Sequence, residues 1–289
     1  MDIVDLRTFL EVARGKRVTA AGRELNTVPS NVTTRIKKLE EEIGLALFDR
    51  QSRGMMLTEA GERLLPYAEN LIDMLREAKE AARDDGAIRG PLRIGSMETT
   101  AAVRLPTLLA RFHRDCPDVK FTLVTGPTAH LVDEVVARRL DGAFVAGPID
   151  HPELDVVLAF TEELVLVTDP AIDTLEALRH SASEGLTALM FRIGCSYRQR
   201  LEHVLASIGL PAFNRVELGT LDGLLGCVAA GMGITLLPRA VVAGSHYADS
   251  LRVHALPRDI SEVATLLAVR RDKRVGAALR NFLVLCRKQ

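Results

Sequence analysis

The chain has 289 residues, of which 47 % are hydrophobic and 26 % charged, with a formal net charge of −1; this excludes a disordered chain and leaves room for two domains or one large one. No run of about eighteen apolar residues occurs, which excludes a membrane-spanning helix. The opening MDIVDLRTFLEV begins with acids where a secretory signal needs a basic segment, so the chain reads as cytoplasmic.

Residues 1 to about 58 are short helical pieces. Ile3, Leu6, Phe9, Leu10 and Ala13 fall on one helical face. Thr19 is placed to cap a short helix, AAGREL, and Asn26-Thr27 makes a turn into VPSNVTTRIKKLEEEIG. In that stretch Val32, Ile36, Leu39 and Ile43 recur at helical spacing, Pro29 suits the first turn, and Gly44 suits the position past the end. A short helix, a tight turn and a second helix with a polar outer face is helix-turn-helix spacing. LALFDRQSRGMMLT then reads as a winged hairpin around Arg53-Gly54. The near-neutral global charge does not argue against nucleic acid, because acids elsewhere can offset a basic face.

Residues 59–89 read as a linker helix capped by Thr58, with Pro66 as a kink or the true start. Leu64, Ala68, Leu71, Leu75, Ala78 and Ala82 form a heptad seam, which predicts dimerisation. From Gly90-Pro91 the texture changes. PLRIGS, FTLVTG and DGAFVAG alternate with helical stretches such as RLPTLLARFH and AHLVDEVVARRL, and ELVLVTDP, TALMFRI, NRVELG and GITLLP continue the pattern. That alternation predicts α/β architecture with a mostly parallel sheet covered on both faces over 90–289.

The run AAGRELNTVPSNVTTRIKKLEEEIGLALFDRQSRGMMLTEAGERLL resembles the DNA-binding segment of LysR-type transcriptional regulators, and the order of elements after it is similar to that family along essentially the whole chain. The resemblance implies a multidomain α/β fold: a winged helix-turn-helix, a dimerising linker helix, and a two-lobed effector domain like periplasmic binding proteins. The lobes would be about 90–161 with 266–289, and about 162–265. It further implies a sequence-specific regulator of a promoter operator in double-stranded DNA, a small-molecule co-inducer, a dimer of dimers, and RNA polymerase as partner. One departure stands out. Where family members commonly read Ser-Gln-Pro-Ala, this chain has Val28, Pro29, Ser30 and Asn31, so the base-touching glutamine is missing.

Residues off the buried stripe are available to a major groove. Ser30, Asn31, Thr34 and Arg35 are the candidates for base edges, with Thr33 beside them, because Asn pairs with adenine, Arg with guanine, and a Thr methyl meets thymine. Thr19, Lys37, Lys38 and Arg50 are placed for phosphates, and Arg53 at the wing tip for a minor groove. For the effector, ligands of two-lobed modules lie at the carboxyl ends of strands, which points to Ser96, Glu98, Thr99 and Thr100 after PLRIG. Glu98 opposes an anion unless paired, and Arg192 is a candidate partner. The resemblance adds Gly126 to Thr128, Val145, the FRIGCSYR run around Cys195, and Gly219-Thr220-Leu221 as cleft wall, with a carboxylate-bearing metabolite as ligand.

Other classes fare worse. GMGITL lacks the third glycine of a dinucleotide fingerprint, and GSME lacks the second glycine of a nucleophile elbow, so an enzyme is not expected. Four scattered cysteines (Cys116, Cys195, Cys227, Cys286) and seven histidines without ligand spacing predict neither metal nor cofactor. The alternative regulator is one that answers redox state or a protein partner instead of a metabolite.

Overall fold

The computed structural model describes residues 1–289 except 16, 52–53, 82–87, 182–184, 192–195, 211, 272–275 and 288–289. It divides into two compact units, Met1–Gly90 and Pro91–Gln289.

The first unit is built on three helices, α1 (Ile3–Gly15), α2 (Val18–Glu24) and α3 (Pro29–Ile43). Leu6, Phe9, Leu10 and Val12 of α1 meet Val32, Ile36 and Leu39 of α3 in one core. Burying each such side chain contributes about 1.5–3 kcal/mol. Two local expectations change. Thr19 lies inside α2, whose N-cap is Arg17 without a side-chain cap bond, because the helix starts two residues earlier than expected. Ile43 is 37 % exposed, since the core under α3 ends at Leu39. Gly44, at φ 79°, stops α3 in the left-handed conformation that glycine adopts without strain.

A two-stranded antiparallel wing follows, β1 (Phe48–Gln51) and β2 (Gly54–Leu57). Glu40 of α3 anchors it by accepting the Leu47 and Phe48 amides at 2.8 and 3.2 Å. Thr58 caps α4 (Glu59–Ala81) by accepting the Gly61 amide at 3.1 Å, and Pro66 lies inside that helix. The heptad seam divides. Ala68 is fully buried in the unit's own core, with Leu64 packed against it. The outward apolar stripe is Tyr67, Leu71 and Met74, one register over for its first members; Ala82 lies outside the described residues. The seam drawn from sequence mixed two faces because both repeat every three to four residues.

In the second unit the elements run β3 (Gly90–Ser96), α5 (Glu98–Val103), α6 (Leu105–Asp115), β4 (Val119–Thr125), α7 (Thr128–Val136), β5 (Gly142–Ala146) and β6 (Leu154–Thr168). Then follow α8 (Leu175–Ser181), β7 (Thr187–Met190), α9 (Ser196–Ser207), β8 (Asn214–Glu217), α10 (Leu221–Ala229), β9 (Thr235–Pro238) and α11 (Arg239–Ala243). The chain closes with β10 (Arg252–His254), α12 (Arg258–Ser261), β11 (Glu262–Arg270) and α13 (Ala277–Cys286).

The main sheet has the order β10-β6-β11-β5-β3-β4, with β9 also on β6. Parallel pairing holds for β3 with β5 and for β7 with β8. The long strands break the expected parallel pattern, because β11 runs antiparallel to both β5 and β6, and β6 antiparallel to β9 and β10. These two strands create two lobes. The first half of β6 belongs with β11, β5, β3 and β4, while its last residues, Leu164 to Thr168, join β9 and β10 beside β7 and β8. A register shift between Thr265 and Leu266 marks the crossing.

Candidate nucleic-acid interface and effector crevice

Helix α3 carries its polar residues outward, as its buried Val32, Ile36 and Leu39 require. Ser30, Asn31, Thr34, Lys37 and Lys38 are exposed, and Thr33 and Arg35 half-buried. Several are already engaged within the unit. The Asn31 amide donates to Thr27 Oγ1 at 2.9 Å, Thr33 Oγ1 to the Pro29 carbonyl at 3.1 Å, and Thr34 Oγ1 to the Ser30 carbonyl at 3.0 Å. Back-bonding to the preceding turn is how hydroxyl side chains are tolerated inside a helix.

The basic residues divide more sharply. Asp5 of α1 is 0 % exposed and accepts Arg35 Nη1 at 3.0 Å and Lys38 Nζ at 3.1 Å. Lys38 also donates to Asp2 at 3.4 Å, and the two aspartates, Asp5 first, push its ammonium upward. A buried carboxylate needs cations, so Arg35 clamps α1 to α3 and is not the unengaged arginine expected from its place off the stripe. Lys37 and Thr19 remain exposed; the Arg50 side chain and Arg53 lie outside the described residues.

In the second unit β3, β4 and β5 end near one another, and the turns there carry the effector candidates. The turn after β3 is fixed by Met97 N–H on the Phe144 carbonyl at 3.1 Å and Gly126 N–H on the Ser96 carbonyl at 3.1 Å. Ser96 is fully buried and donates to the Met97 carbonyl at 2.9 Å, so its hydroxyl shapes the turn. Thr128 Oγ1 accepts the Ala146 amide at 3.2 Å. Thr99 and Thr100 are buried at 4 % and 2 % exposure. Val145 is a core residue packed with Leu131 and Val135, because strand alternation turns it away from the crevice wall. Arg192 and Cys195 lie outside the described residues.

Two bonds join the lobes here. Glu98, at the start of α5, accepts the Leu221 amide at 3.0 Å, beside the Thr220 cap of α10. Arg200 of α9, absent from the sequence reading, reaches the Gly147 carbonyl at 3.5 Å. Among the described residues, Ser196 Oγ, one helical turn before Arg200, is buried without a hydrogen-bond partner, as are Thr99 Oγ1 and Thr265 Oγ1. The signal for Arg200 was its four-residue spacing from Ser196, which puts both on one face of α9.

A hollow of about 420 Å³ shares no residue with this crevice; it is lined by Val103, Arg104, Thr107, Ala159, Phe160 and Thr161. Arg104 there grips the buried Glu162 with two bonds of 2.8 and 2.9 Å. Of the cysteines, Cys116 and Cys286 are buried, and burial pushes the Cys286 thiol up to about 12, far from the thiolate that redox chemistry needs. Among the described residues no His, Cys, Asp or Glu group is placed to hold a metal ion.

Comparisons with known proteins agree with this architecture. Residues 3–62 match the family model described as bacterial regulatory helix-turn-helix protein, lysR family, and residues 85–289 match that of the LysR substrate binding domain. The chain is 41 % identical over 283 residues to the HTH-type transcriptional regulator GltR of Bacillus subtilis, covering 98 % of this chain and 95 % of that one. It is 43 % identical over 285 residues to the uncharacterized HTH-type regulator YusT of the same organism, covering 98 % and 94 %. Among solved structures, full-length CbnR complexed with its target DNA superposes with a TM-score of 0.73 at 21 % identity, covering 100 % of this chain and 99 % of that one.

Proposed function

Because this chain belongs to the LysR family of bacterial transcriptional regulators, we propose that it reads its operator chiefly through Ser30, Asn31 and Thr34 and answers a small molecule bound between its two lobes. It is a DNA-binding regulator with an effector-binding domain and not an enzyme. What carries the readout assignment is the outward face of α3, where Ser30, Asn31 and Thr34 are exposed while Arg35 and Lys38 are held by Asp5. Asn suits adenine and a Thr methyl suits thymine. Thr19 and Lys37, both exposed, take phosphates, with Arg50 and Arg53 of the wing assigned to DNA from the sequence alone.

The rest of the reading follows the same logic. Tyr67 is 69 % exposed on α4, with Leu71 on the same stripe, and this apolar face pairs two copies into a dimer whose half-site spacing DNA would mirror. Two dimers assembled on a promoter, in the cytoplasm and in contact with RNA polymerase, complete the working unit. Switching requires the effector to bind the closed and open lobes with different affinity, since equal affinity shifts nothing. Thr100, Thr128 and Thr220 line its crevice with Glu98 and Thr99, a set suited to a carboxylate-bearing metabolite. Footprinting on operator DNA tests the reading. Wild type protects two half-sites, and Asn31→Ala loses roughly 1–3 kcal/mol at one base position only. Asn31→Ala and Thr34→Ala proteins that discriminate operator from random DNA as wild type does would remove the assignment.

A further inference from the structure

Two side chains of opposite charge reach from one lobe to the other, and each is held by a neutral group of the opposite lobe. Glu98 comes from the first lobe and accepts a main-chain amide of the second, Leu221 N–H, at 3.0 Å. Arg200 comes from the second lobe and donates to a main-chain carbonyl of the first, Gly147, at 3.5 Å, the outer limit of a hydrogen bond. The other arginine of that turn behaves differently: Arg198 pairs with Glu217 at 2.5 Å and with Glu202 at 3.7 Å. Among the described residues Arg200 has no carboxylate and Glu98 no cation within ion-pair distance. A guanidinium offers five donors, so one long bond to a carbonyl leaves most of its capacity unfilled.

The neutral polar groups around them are also short of partners. Among the described residues, Thr99 Oγ1, Thr265 Oγ1 and Ser196 Oγ are buried without a hydrogen-bond partner. Thr99 follows Glu98 directly, and Ser196 lies one turn before Arg200 on α9. Thr265 is fully buried on β11 opposite Ala146, next to Gly147.

We propose that the effector is a zwitterion with one carboxylate and one ammonium group, Arg200 taking the carboxylate and Glu98 the ammonium. The proposal rests on the reading that the effector sits between the lobes. Such a ligand replaces two contacts in which only one partner is charged by two in which opposite charges meet. A dicarboxylate would bring a second negative charge against Glu98, and a diamine a second positive charge against Arg200; like charges at such a site oppose binding. Because each contact already spans the lobes, a ligand that takes both side chains bridges the lobes itself. The closed state is then favoured by the ligand's differential contacts.

The test uses the full-length protein, thermal shift and calorimetry. The probes are the common α-, β- and γ-amino acids, their N-acetyl and methyl-ester forms, and dicarboxylates and diamines of matched length. At least one free amino acid is expected to raise Tm, with each blocked form binding on the order of 10- to 100-fold more weakly. Arg200→Gln weakens the amino acid by a similar factor and Arg200→Lys restores part of it. Glu98→Gln narrows the gap between the free and N-acetyl forms to less than about tenfold. The ligand-free Tm of each variant controls for folding.

The proposal is overturned if no free amino acid binds, if a dicarboxylate or diamine binds more tightly than any of them, or if Arg200→Gln leaves the affinity unchanged. A dicarboxylate that binds and is weakened by Arg200→Gln leaves the interlobe site standing and removes only the zwitterion. A ligand that neither variant affects removes the interlobe site as well.

Discussion

Asp5 lets one interaction be measured that bears on both folding and DNA reading. Its carboxylate is 0 % exposed and lies 3.0 Å from Arg35 Nη1. Two unit charges 3.0 Å apart interact by roughly 5.5 kcal/mol at an effective dielectric of about 20, and by about 1.4 kcal/mol in bulk water. The Arg35 side chain is 32 % exposed, which moves the pair toward the lower figure, and desolvating Asp5 subtracts further. A net coupling of about 1–3 kcal/mol is expected. The measurement is a double-mutant cycle of Asp5→Asn and Arg35→Gln in the full-length chain. Native-state hydrogen exchange of α1 and α3 amides reads it, because local opening does not require the whole two-unit chain to unfold in one step. Each single substitution should lower protection, and the double should cost less than their sum by the coupling energy. Additivity within about 0.5 kcal/mol would refute the clamp. The same Arg35→Gln protein should weaken operator and random DNA by similar factors, since a clamp carries no sequence information.

Three other outcomes are expected. Gly61→Ala would place a methyl 2.3 Å from the Leu47 carbonyl and 2.8 Å from Leu57 Cδ2; backbone cannot yield there, so the wing loses about 1–3 kcal/mol of stability, read by hydrogen exchange in β1 and β2. His254, buried and bonded to Thr168 Oγ1 at 2.9 Å, is held below its ordinary 6.5 by burial first and by Arg252 second. The unfolded chain therefore binds more protons below about 6.5, so the second unit is fully stable above that value and loses stability as pH falls through the folded one; His254→Asn should flatten this slope in Tm against pH. Leu71→Asp should convert dimers to monomers by light scattering while leaving the melting of the first unit within about 0.5 kcal/mol of wild type, because Leu71 is exposed.

Residues that repeat at a fixed spacing were legible in the sequence, and residues already bound to a partner were not. The stripe Val32, Ile36 and Leu39 gave α3 and its inward face correctly. The same logic put Arg35 outward, yet nothing local reveals that Asp5, thirty residues earlier, holds it. Likewise Ser96 does lie at the turn after β3, but its hydroxyl bonds the next carbonyl. Val145 packs in the core for a period-two reason: every residue of β5 is buried, so alternation leaves no polar mark of which face each residue takes. Strand direction was the largest gap. ELVLVTDP looked like one more parallel strand, whereas it is the far half of the fifteen-residue β6, and only pairing with β11 shows that the chain doubles back.

That long strand also sets where any lobe motion must bend. Opposite β11 the register passes from Thr265 against Phe160 to Leu266 against Leu158, which leaves Ala159 as an extra residue. A bulge is where a ladder tolerates a change of angle. Just beyond it, consecutive residues hold arginines from different lobes: Glu162 grips Arg104 at the α5–α6 junction, and Glu163 grips Arg239 at the start of α11 through bonds of 2.7 and 2.8 Å. The pairs differ in cost of loss. Glu162 is buried, so removing Arg104 strands a carboxylate, while the Glu163 pair is open to water and screened by salt. Rotation of the second lobe therefore meets a firm attachment on one side of the crossing and a soft one on the other. Neither clasp uses Glu98 or Arg200, so a ligand that captured those two residues would leave the Arg104–Glu162 and Glu163–Arg239 pairs in place.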